Sequence, residues 1–148
     1  MDEPGGLERL LAHLFANQKL AVLATSSGGQ PYSCLVAFAE TEDLKDLVFA
    51  TFRATRKYRD IVSEPRVALL IDNRSNEESD FSDALAVTAT GGAEEVTGGD
   101  RERLLSVYVA KHPQLVEFAG ASDSALVRVA VENYVVSSFH EVAALSPE

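Results

Sequence analysis

The first apolar signal along the chain is helical. Leu7, Leu10, Leu11, Leu14 and Phe15 recur at intervals of three and four, with Glu8, Arg9 and Ala12 on other faces, which predicts an amphipathic helix packed on something larger. The period then shortens. Residues 20–25 form a short apolar run, Ser26-Ser27-Gly28-Gly29 reads as a turn and residues 31–39 as a second strand, the pattern of a hairpin. Residues 40–46 are a charged loop before a third strand at 47–51. Thr55 stands as the N-cap of a helix carrying Tyr58, Ile61 and Val62 on one face, and Pro65 ends that helix by disfavouring helical backbone at Glu64.

Residues 67–71 are apolar throughout, which predicts a central fourth strand, and the acidic stretch 72–83 has no period and reads as a surface loop. A fifth strand begins near Ala84 and runs past Gly91-Gly92, where a bulge or bend is expected. Asp100 is the expected cap of a third helix that turns Leu104, Leu105 and Tyr108 inward and closes at His112-Pro113, followed by a short helical piece at 114–118. Val127, Val129 and Val131 alternate with Arg128, Ala130 and Glu132 as a half-buried strand, and residues 134–142 predict the last one. Six or seven strands, several of them antiparallel neighbours, lose their exposed edges by closing into a barrel. The expected class is α+β, a six- to seven-stranded antiparallel barrel with flanking helices. The 148 residues suit one domain spanning 1–148.

Charge narrows the function. A formal net charge of -10 repels phosphate polymers and anionic membrane surfaces, so neither nucleic acid nor membrane is an expected partner. No apolar stretch approaches the ~20 residues that span a bilayer. The N-terminal Met1-Asp2-Glu3-Pro4-Gly5-Gly6 lacks a signal pattern, and a cytoplasmic location is expected. Cys34 is the only cysteine, which excludes an intramolecular disulfide and a cysteine-rich zinc site.

Against that acidic background, four of the thirteen basic residues fall within seven positions: Arg53, Arg56, Lys57 and Arg59. Positive charge in a first helical turn is unfavourable by ~0.3–1 kcal/mol per exposed residue, because the helix N-terminus is already positive. A bound phosphate reverses that sign. First-turn amides and the Thr55 hydroxyl can donate to its oxygens, Arg56 can engage two of them, and Lys57 acts as a point charge. The competing reading is a solvated helix face with Arg56 paired to Asp60 one turn later. A strand ending at Thr51, a short connection and then Thr55-Arg56-Lys57 favour the cradle.

Gly29-Gln30-Pro31-Tyr32, the strand at 47–51, the Thr55-Arg56-Lys57 triplet and Pro65-Arg66-Val67 together resemble the pyridoxamine 5'-phosphate oxidase-like, FMN-binding split barrels. The resemblance runs in order from Leu7 to Val96 and more loosely beyond. It implies a homodimer with FMN in a groove between subunits. By position it assigns Arg56 and Lys57 to the FMN phosphate, and Ala50 and Thr51 to the strand end along the phosphate and ribityl chain. Cys34, Leu35 and Val36 fall on the strand beside the isoalloxazine ring, whose backbone amides bond the ring's polar edge. The oxidases carry basic residues where this chain has Cys34 and Ala39, and no Tyr/Arg/Ser constellation for a second phosphate is found. The resemblance therefore implies FMN and a small-molecule redox partner, but not oxidation of pyridoxamine phosphate. A non-catalytic flavin carrier or stress-related flavoprotein, a deazaflavin-dependent reductase and a haem-binding or haem-degrading protein are the alternatives within such folds.

Other chemistry is poorly represented. Cys34 inside an apolar strand reads as inert packing, and His13, His112 and His140 have no ligand partners at metal spacing. Glu77-Glu78 and Glu94-Glu95 read as solvated carboxylates. No Gly-x-Ser-x-Gly elbow is present, and Gly91-Gly92 lacks the spacing of a dinucleotide fingerprint.

Overall fold

The strands predicted from alternation close on themselves. The computed structural model describes residues 5–147, so the segment Met1-Asp2-Glu3-Pro4 lies outside the described residues. The order is α1 (Gly6–Asn17), β1 (Leu20–Ser27), β2 (Gln30–Glu40), β3 (Asp46–Phe52), α2 (Arg56–Ser63), β4 (Arg66–Asp72), α3 (Asp80–Asp83), β5 (Ala86–Glu95), α4 (Gly98–Lys111), a 3-10 turn (Pro113–Leu115), α5 (Val116–Gly120), β6 (Ser124–Ser137) and β7 (Val142–Leu145). Neighbours in the antiparallel sheet run β3-β2-β1-β4-β5-β6-β7, and β3 also pairs with β6, which closes six strands into a barrel with β7 added at its side. The β1–β2 turn places Gly28 and Gly29 at φ 57 and 81, backbone that side chains resist and glycine tolerates. No described helix is long and apolar enough to cross a membrane.

The barrel interior is filled by Leu23, Phe38, Phe49, Leu69, Val87 and Val127, and α1 plugs it with Leu11 and Phe15. Phe15 meets Phe38 edge-on at 5.8 Å. A second core lies outside the barrel, where Leu104 and Tyr108 of α4 and Ala119 of α5 cover Ala39, Val48, Ala50 and Leu126, outward residues of β2, β3 and β6. β3 is buried from Leu47 to Thr51 because both of its faces are covered. The alanines of β2 and β3 let a helix approach this face closely. Lys111 fastens α4 to α1, donating to the Phe15 carbonyl and to Glu40, each at 2.7 Å.

Several boundaries differ from expectation, each for a physical reason. β4 is central as expected, between β1 and β5, but it alternates between buried and half-buried residues, so only one of its faces meets the core. The acidic stretch 72–83 contains one helical turn, held by the Asp80 carboxylate accepting from the Ser75 and Asn76 amides. Asp100 lies inside the first turn of α4, whose N-cap is Thr97. Ile61 of α2 is buried, whereas Val62 is 69% exposed. The last two expected strands are one: residues 134–137 continue β6, and a turn at 138–141 leads to β7.

Candidate functional site

β2 and β3 pair only at Phe38–Phe49, Ala39–Val48 and Glu40–Leu47. Beyond Phe38, β2 stays with β1 as far as Gln30, while β3 stays with β6 as far as Phe52. The two strands part, and a groove opens between them. Its walls are Leu35, Val36 and Ala37 on one side and Ala50, Thr51 and Phe52 on the other. Thr55 and Lys57 close one end, Tyr108 and Phe118 form the helical side, and the volume is ≈ 210 Å³.

Backbone direction follows from the ladder. The Phe38 amide donates to Lys19 O on the β1 side, so the alternate residues Leu35 and Ala37 turn their peptide groups toward the groove. With β3 withdrawn, those groups face the space where a ligand edge would lie. Phe52 meets Phe118 edge-on at 5.0 Å, which makes that wall aromatic.

Six of the eight residues assigned from sequence line this groove: Leu35, Val36, Ala50, Thr51, Thr55 and Lys57. Cys34 does not; it faces the barrel interior against the core, and burial pushes its thiol up, only partly offset by Lys57. Arg56 stands beside the groove with its guanidinium 4.2 Å over the Tyr32 ring and Nε 3.9 Å from Asp60. Asp60 is buried and accepts from the Thr25 hydroxyl at 2.8 Å. The pairing with Asp60 expected of a solvated face is therefore present, yet it engages only Nε. The terminal nitrogens of Arg56 have no partner among the described residues.

Lys57 is half-buried and has no carboxylate within ion-pair distance among the described residues. The Arg56 and Lys57 amides belong to the first turn and lack intrahelical acceptors. Thr55 is the N-cap and accepts from the Tyr58 amide at 3.3 Å. Its hydroxyl lies 2.9 Å from that of Thr51, and both approach the Phe52 carbonyl. Two protons therefore serve two internal acceptors, and a threonine hydroxyl reaches a phosphate only by releasing one. The donors left free are the two amides, Lys57 and the ends of Arg56.

Arg53 is committed elsewhere. It bonds Glu95 at 2.5 Å and the Ser122 carbonyl at 2.8 Å, and Tyr58 donates to Glu95 at 2.6 Å. Arg59 is exposed. The Arg53 and Tyr58 hydrogen bonds hold the Glu95 carboxyl below its ordinary value, and the same contact raises the Tyr58 phenol. A carboxyl so depressed contributes stability above the ordinary glutamate range and loses it as pH falls through its folded-state value. Glu95→Gln is accordingly expected to lower the urea midpoint near neutrality and to match wild type in acid. A gap between the two proteins that does not narrow on acidification would rule this lock out.

Ala37, Phe52, Tyr108 and Phe118 are groove residues that carried no site role in the sequence. A buried tyrosine needs a partner for its hydroxyl, but nothing local in the sequence names that partner.

A closed six-stranded barrel split between β2 and β3, with a basic helix N-terminus at the head of the split, defines the split-barrel class. The chain belongs to the pyridoxamine 5'-phosphate oxidase family, whose model matches residues 7–136. No protein of curated function matches it in sequence. Among solved structures it is similar to a haem-binding protein from Mycobacterium smegmatis (TM-score 0.84, 17% identity), covering 99% of this chain and 60% of that one. It is also similar to an FAD-binding protein from Mesorhizobium loti (0.69, 15%, covering 87% and 90%) and to HutZ, a haem storage protein from Vibrio cholerae (0.68, 16%, covering 95% and 94%). The chain thus spans about 60% of the length of the mycobacterial protein. At these identities the likeness is one of fold.

Proposed function

We propose that the protein binds FMN in the β2–β3 groove and serves a small-molecule redox partner as a flavin-dependent oxidoreductase. The observation that carries this reading is Lys57, a half-buried cation with no carboxylate in ion-pair distance among the described residues, beside two free amides at the end of an apolar groove. An amphipathic ligand with one anionic end and a flat body fits that arrangement. Lys57, the Arg56 and Lys57 amides and the ends of Arg56 hold the phosphate. The Leu35 peptide groups and the Ala37 amide meet the polar edge of the ring, and Phe118 supplies apolar wall. When bound, FMN supplies reversible two-electron chemistry, and nearby donors favour its reduced, more negative form. The chain itself offers position and charge. The titratable groups at the groove are Lys57 and Tyr108, and burial pushes the Tyr108 phenol up to about 12, so it stays protonated.

Two features support a homodimer that completes the site. At ≈ 210 Å³ the groove falls short of the ~300–1,000 Å³ usual for a small-molecule pocket. Next to it, the outward face of the barrel is apolar: Leu35 is 64% exposed, and the registers align it with Val22 and then Leu70. A second copy seated there would enclose the ligand. A lone unpaired Cys34 suits a reducing compartment such as the cytoplasm.

Haem is the rival ligand, because similar folds include haem proteins. It is favoured less by the histidines here. None of the three lines the groove, and the buried His112 is bonded to the Phe38 carbonyl at 2.7 Å. Titration of the purified protein with FMN, FAD, a deazaflavin and haemin, followed by absorbance and fluorescence, decides the matter. Saturable FMN binding with a perturbed flavin spectrum is expected. Binding of haemin with a Soret shift, or of deazaflavin, in the absence of FMN binding would replace this reading.

A further inference from the structure

The β2–β3 ladder stops at one particular pair. Continuing the register past Phe38–Phe49 would bring Ala37 opposite Ala50, with the Ala50 amide donating to the Ala37 carbonyl. Instead, the Tyr108 hydroxyl donates to the Ala37 carbonyl at 3.2 Å. Alternation along β3 turns the Ala50 amide toward the same side, away from β6. Tyr108 comes from α4, is fully buried, and belongs to the outer core that binds α4 to β2 and β3. One hydroxyl thus occupies the place of one ladder bond. On its far side the strands never re-pair, although each continues with its other neighbour.

We infer that Tyr108 is a positioning residue: its hydroxyl wedges the β2–β3 ladder open at Ala37–Ala50 and thereby holds the cofactor groove at binding width. Without the wedge, the buried Ala50 amide and the half-buried Ala37 carbonyl would be left unpaired, a state that folded chains avoid, and the direct bond is the available remedy. Closing it draws Leu35–Ala37 toward Ala50–Phe52, the two walls of the groove. The inference rests on the FMN reading for its functional consequence, but not for its geometry.

The test is Tyr108→Phe, which keeps the ring and removes only the oxygen. The control is Tyr134→Phe, because Tyr134 is an equally buried phenol whose hydroxyl donates to the Leu44 carbonyl at 2.7 Å, away from the groove. NMR of the protein without ligand is expected to show a new cross-strand NOE between the Ala37 and Ala50 amides in Tyr108→Phe, absent in wild type and in the control. FMN affinity is expected to fall about tenfold in Tyr108→Phe and to stay unchanged in the control, although both lose one buried hydrogen bond. Equal losses of affinity in the two variants, or an unchanged affinity in Tyr108→Phe, would overturn the positioning role. Failure of the NOE to appear would overturn the wedge itself. If wild type binds no FMN, the ligand reading fails, and the NOE still decides the wedge.

Discussion

Replacing Arg56 and Lys57 together by alanine is expected to weaken FMN binding by about a hundredfold or more, the scale of losing two charge-assisted contacts. Lys57 contributes through its position: a half-buried cation with no carboxylate in reach among the described residues gains more from an arriving phosphate than a surface lysine does. Arg56 is partly preorganised, since its guanidinium lies 4.2 Å over the Tyr32 ring with Nε 3.9 Å from Asp60, so less side-chain freedom is lost on binding. The two losses differ in structural cost. Removing Arg56 leaves buried Asp60 with the Thr25 hydroxyl as its remaining partner, so a modest loss of stability accompanies that half of the change. Lys57→Ala has no such cost and serves as the clean single variant. Riboflavin, which lacks the phosphate, provides the other half of the cycle. Wild type should prefer FMN strongly, and the double variant should bind both flavins about equally, with circular dichroism unchanged. An FMN preference that survives the double substitution would remove the anion cradle from the site.

The head of the groove was legible because it is local. Thr51, Thr55 and Lys57 lie within seven positions, and a strand end followed by a capped helix fixes their relation without reference to the rest of the fold. The Arg56–Asp60 pair expected of a solvated face is present through Nε alone, and the terminal nitrogens have no hydrogen-bond partner among the described residues. The helical side of the groove was not legible. Tyr108 meets Ala37 across 71 positions, and its helix periodicity says only that it faces inward, not which carbonyl it finds there. Cys34 shows the same limit on a strand, where alternation separates it from Leu35 but leaves open which of them faces the barrel. The segment singled out by the resemblance borders the groove through Leu35 and Val36, while Cys34 packs against the barrel core. Where phase is broken, even the elements were misread. Residues 124–137 form one strand, but its buried alternation runs through Val127, Val129 and Val131 and then shifts to Tyr134 and Val136, which imitates two strands.

The cause of that phase change yields the largest expected effect on stability. Thr90 pairs with Asn133 and Gly91 with Val131, so Glu132 is the extra residue of a bulge in β6. A bend or bulge was expected at Gly91-Gly92; the irregularity is there, with the inserted residue on the partner strand. The bulge brings β6 backbone hard against Gly91. A Cβ at that position would stand 2.9 Å from the Ala130 carbonyl carbon and closer still to its oxygen. The obstacle is main chain in a closed barrel, so no rotamer change relieves it. Gly91→Ala is therefore expected to destabilise the fold by about 3 kcal/mol, lowering the thermal midpoint by roughly 10 °C. Gly92 is the internal control. A Cβ there meets nothing within 4 Å, and alanine restricts the unfolded chain, so Gly92→Ala is expected to be neutral or slightly stabilising. The contrast between adjacent glycines separates close backbone approach from a general intolerance of strand β5 to side chains. Equal midpoints for the two variants would mean that β6 does not bulge at Glu132, and the pairing that closes the barrel would then need a different register.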